Sequence, residues 1–180
     1  MPSQPRTTVA IVDDHPLYRQ GLRQVIEADA GFTLVGETDS GESALALIQQ
    51  HHPDVVVLDI NLPGMSGLEV AAALHAKSVS PRIVVLTMFK DEQAFNQAMN
   101  LGVQGYVLKE NAAAEILRCI TSVAADSPYV SPVLTGYLLR RHQRAAALAS
   151  RQPSLDDLTT AERRILRAVA QKKSTKEIAA

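Results

Sequence analysis

Tryptophan is absent from this 180-residue sequence, cysteine occurs once, and aromatic residues make up only 4% of the chain. A lone cysteine excludes an internal disulfide and is typical of a protein kept in a reducing compartment. Cys119 falls inside a helical pattern, so we interpret it as a small packed residue rather than a reactive one. With so few aromatic side chains, the hydrophobic core has to be mainly aliphatic.

Long hydrophobic runs are missing as well. No apolar stretch approaches the ~20 residues that a membrane-spanning helix requires, and the N-terminal MPSQPRTT lacks the basic-then-apolar design of a secretory signal. We therefore expect a cytoplasmic protein with no membrane contact. The length suits one domain with a smaller piece attached.

Charge is distributed unevenly along the chain, although the net charge is only −1. Residues 1–139 hold 8 Lys and Arg against 15 Asp and Glu, a balance of −7, whereas residues 140–180 hold 10 against 4, a balance of +6. Such asymmetry indicates two tasks, with a polyanion as a plausible partner of the basic end. A solvated basic linker is the alternative.

Five short apolar runs alternate with stretches of helical spacing. Apolar runs bounded by turn residues are typical of strands buried on both faces. Their alternation with helices predicts right-handed crossovers and a parallel sheet covered by helices on both sides. The runs are Val9–Val12, Phe32–Val35, Val55–Leu58, Ile83–Leu86 and Gly105–Leu108. We place this first domain at residues 5–126.

Local signals agree with this alternation. Pro16 stands where a first helix begins, and a proline costs no hydrogen bond there. Ser66 with Glu69 three residues later predicts a capping box at the start of the third helix. Gly102 follows the fourth helix, at the place where a left-handed residue commonly ends a helix.

Polar residues follow four of the five runs, at the point where each run ends. The first run leads into Asp13 and Asp14, the third into Asp59, the fourth into Thr87 and the fifth into Lys109. Because the carboxyl ends of parallel strands meet at one edge of a sheet, where ligands collect, we expect these side chains to converge. Taken alone, Asp59 also fits a residue that merely caps its own loop.

The chemistry of this set indicates phosphoryl transfer. Three neighbouring carboxylates repel one another and favour a hard divalent cation such as Mg²⁺, which prefers oxygen ligands. Lys109 and the hydroxyl of Thr87 suit phosphoryl oxygens. Asp59 is then the candidate nucleophile, because a carboxylate can form an aspartyl phosphate. In-line transfer needs mainly positioning and neutralised charge.

The motifs VDD, LDINLPGMSG, LT and GYVLKE, taken together, resemble the receiver domain of two-component response regulators, the CheY-like fold. The resemblance covers about residues 7–125. It implies a flavodoxin-like (βα)5 fold, a doubly wound parallel sheet with strand order 2-1-3-4-5. It also implies that Asp59 is the phosphoacceptor.

The same resemblance implies a ligand set for Mg²⁺. By matching position, Asp14 and Asp59 are direct ligands, Asp13 is a ligand through water, and the main-chain carbonyl of Asn61 completes the set. The expected cofactor is therefore Mg²⁺.

Further residues acquire roles from the resemblance. Thr87 and Lys109 bind the phosphoryl oxygens, and Tyr106 takes the aromatic switch position, where the ring turns inward as Thr87 moves toward the phosphate. Met88 departs from the small residue that often follows the threonine in receivers. Its bulk affects phosphoryl access or lifetime in a direction that the sequence does not set.

The basic end has its own resemblance. Residues 127–157 have helical spacing and are interpreted as a helical linker. Residues 158–180, with the LTTAE start and the KEIA segment, resemble the opening of the LuxR-type helix-turn-helix of the NarL/FixJ subfamily. In that family a recognition helix follows, and this chain ends before it, so we expect specific operator binding to be lost. Candidate DNA phosphate contacts are Arg163, Arg164, Lys172, Lys173 and Lys176.

The resulting hypothesis is a phosphorylation-dependent response regulator, not an enzyme with an external substrate. A sensor histidine kinase is the expected phosphodonor, with DNA as the partner of the longer parent and a homodimer possible on phosphorylation. Two alternatives stay open: a receiver-like docking module independent of phosphorylation, and a Mg²⁺-dependent aspartyl-phosphate phosphatase. The haloacid-dehalogenase type of phosphatase carries its nucleophile after the first strand, whereas Asp59 follows the third.

Overall fold

The computed structural model describes residues 6–76, 81–88 and 90–150, with side chains as far as Ala147. Strands and helices alternate as the sequence pattern predicts. In chain order the elements are β1 (Thr7–Val12), α1 (Pro16–Glu27), β2 (Phe32–Thr38), α2 (Gly41–His51), β3 (Val55–Asp59), α3 (Gly67–Ala76), β4 (Arg82–Thr87), α4 (Glu92–Asn100), β5 (Gly105–Leu108), α5 (Ala112–Ala124), β6 (Tyr129–Val130) and α6 (Thr135–Ser150). Short 3₁₀ turns at Lys109–Asn111 and Pro132–Leu134 precede α5 and α6.

The strands described form one parallel sheet in the order β2-β1-β3-β4-β5-β6. The expected doubly wound order 2-1-3-4-5 is confirmed, because the chain moves outward from β1 in both directions. The structure adds β6, which lies on the outer side of β5 and was absent from the sequence-based expectation. A two-residue strand leaves too short a pattern to be detected.

The core lies on both faces of the sheet. Alternate residues of each central strand point to opposite sides, so Ala10 and Val12 belong to one apolar cluster and Val9 and Ile11 to the other. Helices α2, α3 and α4 cover the first cluster, and α1 and α5 cover the second. Most of these buried side chains are aliphatic, as the composition predicts.

The local helix signals are confirmed at the positions where they were expected. Pro16 opens α1. At the start of α3 the backbone N–H and hydroxyl of Ser66 donate to Glu69 Oε2 at 2.8 and 2.7 Å, and the N–H of Glu69 donates back to Ser66 Oγ at 3.3 Å. This is the reciprocal capping box. Gly102 follows α4 with a φ of 78°, in the left-handed region.

The chain divides into two compact units, Met1–Leu138 and Leu139–Ala180. Within the first unit, β6 and the turn before α6 join the sheet and its core, so the segment directly after α5 packs as part of this unit. The proposed boundaries at residues 126 and 157 stay predictions. Candidate DNA contacts at residues 163–176 lie outside the described residues. Among the residues that are described, no helix has the length and apolarity to cross a membrane.

Candidate functional site

The first two strands of the site deliver their carboxylates side by side. Val12 of β1 pairs with Leu58 of β3. Asp13 and Asp59 are the next residues of the two neighbouring strands, and parallel pairing therefore brings them to the same edge. Both carboxylates are almost completely buried, at 0% and 1% exposure. A buried carboxylate is costly unless a cation or hydrogen-bond donors compensate it.

Lys109 supplies this compensation. Its Nζ lies 2.7 Å from Asp13 Oδ2 and 2.7 Å from Asp59 Oδ2, and its side chain is only 2% exposed. Thr87 of β4 pairs with Leu108 of β5, which places Lys109 one residue beyond the strand on the same edge. The ammonium therefore bridges two carboxylates contributed by different strands. One positive charge against two negative charges leaves this buried group net negative.

Asp14 and His15 extend the cluster toward solvent. His15 Nδ1 lies 2.7 Å from Asp14 Oδ1, 3.4 Å from Asp13 Oδ1 and 4.0 Å from Asp59 Oδ2. The backbone N–H of His15 donates to Asp13 Oδ1 at 2.8 Å. Sequence reasoning did not include His15 in the site, although it directly follows the two aspartates. One ligand atom from each of these four residues lies within 4.8 Å of the others.

This donor set fits a hard divalent cation. Three carboxylates converge, and Mg²⁺ is held in proteins by oxygen ligands, usually with several waters retained. The excess negative charge that Lys109 leaves uncompensated is a second reason for a cation to bind there. The backbone N–H of Asn61 donates to Asp59 Oδ1 at 3.1 Å, which places Asn61 beside the central carboxylate. Its carbonyl as a ligand stays a prediction.

The loop after Asp59 is held close to the strand end. A Cβ at Gly67 would lie 2.0 Å from the carbonyl oxygen of Asp59, so only glycine permits this approach. The N–H of Gly67 donates to the carbonyl of Ile60 at 2.9 Å. The capping box of α3 then begins directly beside the site. Together these contacts fix the backbone from which the Asp59 side chain projects.

Tyr18 is a further residue that sequence reasoning missed. Its ring centroid lies 4.7 Å from Lys109 Nζ, a cation–π distance, and its hydroxyl donates to the carbonyl of Lys109 at 3.2 Å. Burial, and then the charges of Asp13 and Asp59, raise the pKa of Tyr18. The phenol therefore stays protonated at neutral pH, and its ring covers one side of the Lys109 ammonium. Asp14 precedes α1, so no helical spacing in the sequence linked Tyr18 to the site.

Thr87 and Met88 lie at the end of β4. Thr87 is buried, whereas Met88 is 63% exposed. The methionine side chain is thus largely exposed to solvent, and its effect on the phosphoryl group stays a prediction. The sequence-predicted role of Thr87 toward phosphoryl oxygens stays a prediction.

Tyr106, the expected switch residue, is directed into the protein. Its side chain is 1% exposed, and its ring contacts that of Phe95 edge-to-face, with centroids 5.0 Å apart and an interplanar angle of 68°. The hydroxyl is buried and has no hydrogen-bond partner among the described residues. Burial is the main cause that raises the pKa of Tyr106, followed by Asp91 and Tyr137.

Comparison with known families places this site in context. The family model of the response regulator receiver domain matches residues 9–121. The nitrate/nitrite response regulator protein NarL of Escherichia coli strain K12 is 36% identical over 179 residues, which are 99% of this chain and 82% of that protein. The probable transcriptional regulatory protein NarL of Mycobacterium tuberculosis strain H37Rv is 33% identical, over 99% of this chain and 81% of that protein.

Solved structures that resemble this chain are also response regulators. A LuxR-family two-component response regulator from Aurantimonas sp. SI85-9A1 has 30% identity and a TM-score of 0.72, covering 77% of this chain and 99% of its own. The signal receiver domain of the putative response regulator NarL from Mycobacterium tuberculosis has 34% identity and a TM-score of 0.65, covering 68% and 98%. The receiver-domain match at residues 9–121 includes every residue of the site.

Proposed function

This chain belongs to the response regulators of two-component systems, among the NarL- and LuxR-type members, and on that basis we propose that Asp59 is the residue that becomes phosphorylated when it signals. Its receiver domain is of the kind that serves phosphorylation-dependent two-component signalling. The observation that carries the proposal is the double contact of Lys109 Nζ, 2.7 Å from both Asp13 and Asp59. A cation held there is available to a phosphoryl oxygen as soon as the group arrives.

In the proposed reaction a carboxylate oxygen of Asp59 attacks the phosphorus of a phosphodonor. A new P–O bond forms as the bond from phosphorus to the donor breaks, and the donor leaves with the bonding electrons. The ammonium of Lys109 and the hydroxyl of Thr87 hold the phosphoryl oxygens during transfer. Positioning and charge neutralisation are the main demands of such a step.

Receiver domains bind Mg²⁺ at their acidic pocket, and the residues here fit it. Asp14 and Asp59 would hold the ion directly, Asp13 through water, and the carbonyl of Asn61 would complete the protein's share. The ion supplies charge neutralisation for the incoming phosphoryl group. The protein's own part is to keep the carboxylates together, and Lys109 does this for Asp13 and Asp59 from the buried side.

The partners proposed for this chain follow from its family. A sensor histidine kinase is the phosphodonor, and DNA is the partner through which transcription is controlled. Response regulators are generally transcription regulators rather than enzymes, and we propose the same here. Phosphorylation would draw Thr87 toward the phosphate and stabilise the inward position of the Tyr106 ring, and thereby alter the surface offered to the output segment or to a second copy.

The test uses a small phosphodonor, so that no cognate kinase is needed. The protein is incubated with acetyl phosphate and Mg²⁺, and a parallel sample contains EDTA from the start; the intact mass of both samples is then measured. We expect one phosphoryl group per chain in the wild type and none with Asp59→Asn or with EDTA. The aspartyl phosphate should be lost in base, because it is an acyl phosphate.

A matched control is Asp126→Asn. This change removes an exposed carboxylate that is distant from Asp59 in the sequence and pairs with Arg82 at 2.7 Å. This variant should be phosphorylated like the wild type. An adduct that survives in Asp59→Asn removes the site assignment. A wild type that never forms an adduct supports a docking module instead, and turnover of a phosphoester would support a phosphatase.

A further inference from the structure

The segment Tyr129–Tyr137, named here the strap, begins with the two residues of β6, which lie in the sheet beside β5 and Tyr106. Val130 pairs with Tyr106 in the parallel ladder between β6 and β5. The N–H of Tyr129 donates to the carbonyl of Gln104 at 2.9 Å, and the N–H of Ser131 donates to the carbonyl of Tyr106 at 2.8 Å. The backbone of the switch residue is therefore hydrogen-bonded directly to the strap.

Side chains anchor the strap at a second point. The hydroxyl of Ser131 donates to Glu115 Oε2 of α5 at 2.6 Å, and both residues are buried. Three residues further on, Leu134 is buried in the same apolar cluster as Tyr106. A buried carboxylate requires a donor, so the pairing of Glu115 with Ser131 fixes where the strap leaves the sheet.

Aromatic contacts link the end of the strap to the Tyr106 ring. The ring of Tyr137 contacts that of Phe95 edge-to-face, with centroids 5.7 Å apart. Phe95 also contacts the ring of Tyr106 edge-to-face, with centroids 5.0 Å apart. The hydroxyl of Tyr137 donates to the carbonyl of Lys90 at 2.9 Å, which anchors its ring to the segment between β4 and α4. Phe95 is thus held between two tyrosines and cannot move without disturbing both.

We propose that the strap positions Tyr106, with Tyr137 acting through Phe95 to keep the Tyr106 ring directed inward and thereby to strengthen phosphoryl binding at Asp59. The inference rests on the proposed function, in which the inward ring accompanies the phosphorylated form. A contact that favours one of two states must also favour any ligand of that state. The coupling is reciprocal, so phosphoryl binding at Asp59 must tighten the strap.

The experiment measures binding of beryllofluoride, a phosphoryl analogue, to the full chain with Mg²⁺ by calorimetry. Tyr137→Leu removes the aromatic edge and the hydroxyl while keeping apolar bulk, and we expect beryllofluoride affinity to fall by about twofold to tenfold. Tyr137→Phe keeps the ring and loses only the bond to the Lys90 carbonyl, so a smaller loss is expected. Leu138→Ala, at the exposed neighbouring position, is the control and should bind like the wild type.

Hydrogen exchange at the strap amides separates the proposed coupling from a general effect on stability, because only coupling to the site makes that exchange depend on Asp59. In the wild type, beryllofluoride should slow exchange at the amides of Ser131 and Leu134, and Asp59→Asn should abolish this effect. Wild-type affinity in both Tyr137 variants, with unchanged exchange in the strap, would overturn the positioning role while leaving phosphorylation at Asp59 intact. A wild type that binds no beryllofluoride would instead refute the proposed function, and with it the role of the strap.

Discussion

Lys109 decides the electrostatics of the site at the scale of a single residue. Its ammonium is buried between Asp13 and Asp59, with both contacts at 2.7 Å, and Tyr18 covers it from the side. Two carboxylates without this cation would share a small buried volume and repel each other. The residue therefore has two tasks, to permit the fold of the site and to be ready for a phosphoryl oxygen.

Replacing Lys109 by Ala should lower the free energy of unfolding by about 3–5 kcal/mol in EDTA, because it leaves buried charges without a partner. Mg²⁺ should offset part of that loss, so the rise in Tm on adding Mg²⁺ should be larger in Lys109→Ala than in the wild type. Thermal unfolding with and without Mg²⁺ measures both effects.

The control for this prediction is Lys90→Ala. Lys90 pairs with Glu110 at 3.0 Å, but both side chains are more than half exposed, so the loss should be below about 1 kcal/mol. An equal Mg²⁺-dependent rise in Tm for the wild type and Lys109→Ala would show that Lys109 does not set the charge of the site.

Residue positions at strand ends were predictable, but side-chain directions around them were less so. Asp13, Asp59 and Lys109 follow apolar runs, and parallel pairing alone brings such residues together. His15 follows Asp14, and the direction of its side chain depends on the turn into α1, in which His15 has φ −90° and ψ 106°. Tyr18 joins the site through the angle at which α1 packs. Neither the turn nor the packing angle leaves a periodic signal in the sequence.

At the scale of elements, α5 packs closely on β5, the strand that precedes Lys109. A Cβ at Gly105 would lie 2.8 Å from Cys119 Sγ and 2.7 Å from Val84 Cγ2, so the helix approaches the strand as nearly as a glycine allows. Cys119 is completely buried in this contact, which confirms that it is a packed residue. Burial, with a smaller effect of Glu115, raises its pKa to about 12.

This packing predicts a dependence of stability on pH. Well below pH 9, the ordinary pKa of a cysteine thiol, Cys119 is protonated in both the folded and the unfolded protein. Between pH 9 and about 12 this thiol ionises only in the unfolded chain, so its contribution to the free energy of unfolding falls by up to ~1.4 kcal/mol per pH unit. Denaturant unfolding at a series of pH values measures this slope.

Cys119→Ala is the matched variant, because it keeps every other titrating group, including Tyr18 and Tyr106. Its stability should be lower at neutral pH, owing to the small cavity, but should fall less steeply above pH 9. Parallel curves for the two proteins would show that the thiol ionises as readily in the folded state as in the unfolded one.

The elements also show where sequence patterns stop being informative. The first five strands were predicted because each contributes three or more apolar residues within a short run. The two residues of β6 gave no such run, and their strand character arises only from pairing with β5 and from Ser131 meeting Glu115. These contacts span sequence separations that a local pattern does not report.

At the scale of the whole molecule, the charge asymmetry follows the division of the chain. The acidic site lies in the unit Met1–Leu138, whereas the basic excess belongs to residues 140–180. The helix-turn-helix start at residues 158–180 and its contacts to DNA phosphates stay predictions. What joins the two tasks in our account is phosphorylation at Asp59, with the strap as the first segment that senses it.

The most direct test of this account is to locate the phosphorylated residue chemically. The chain is treated with acetyl phosphate and Mg²⁺, reduced with borohydride, which converts an acyl phosphate to an alcohol, and then digested and sequenced by mass spectrometry. The account predicts homoserine at position 59 and unmodified aspartate at Asp13 and Asp14. Reduction at either of those two residues, or a phosphoryl group on His15, would contradict it.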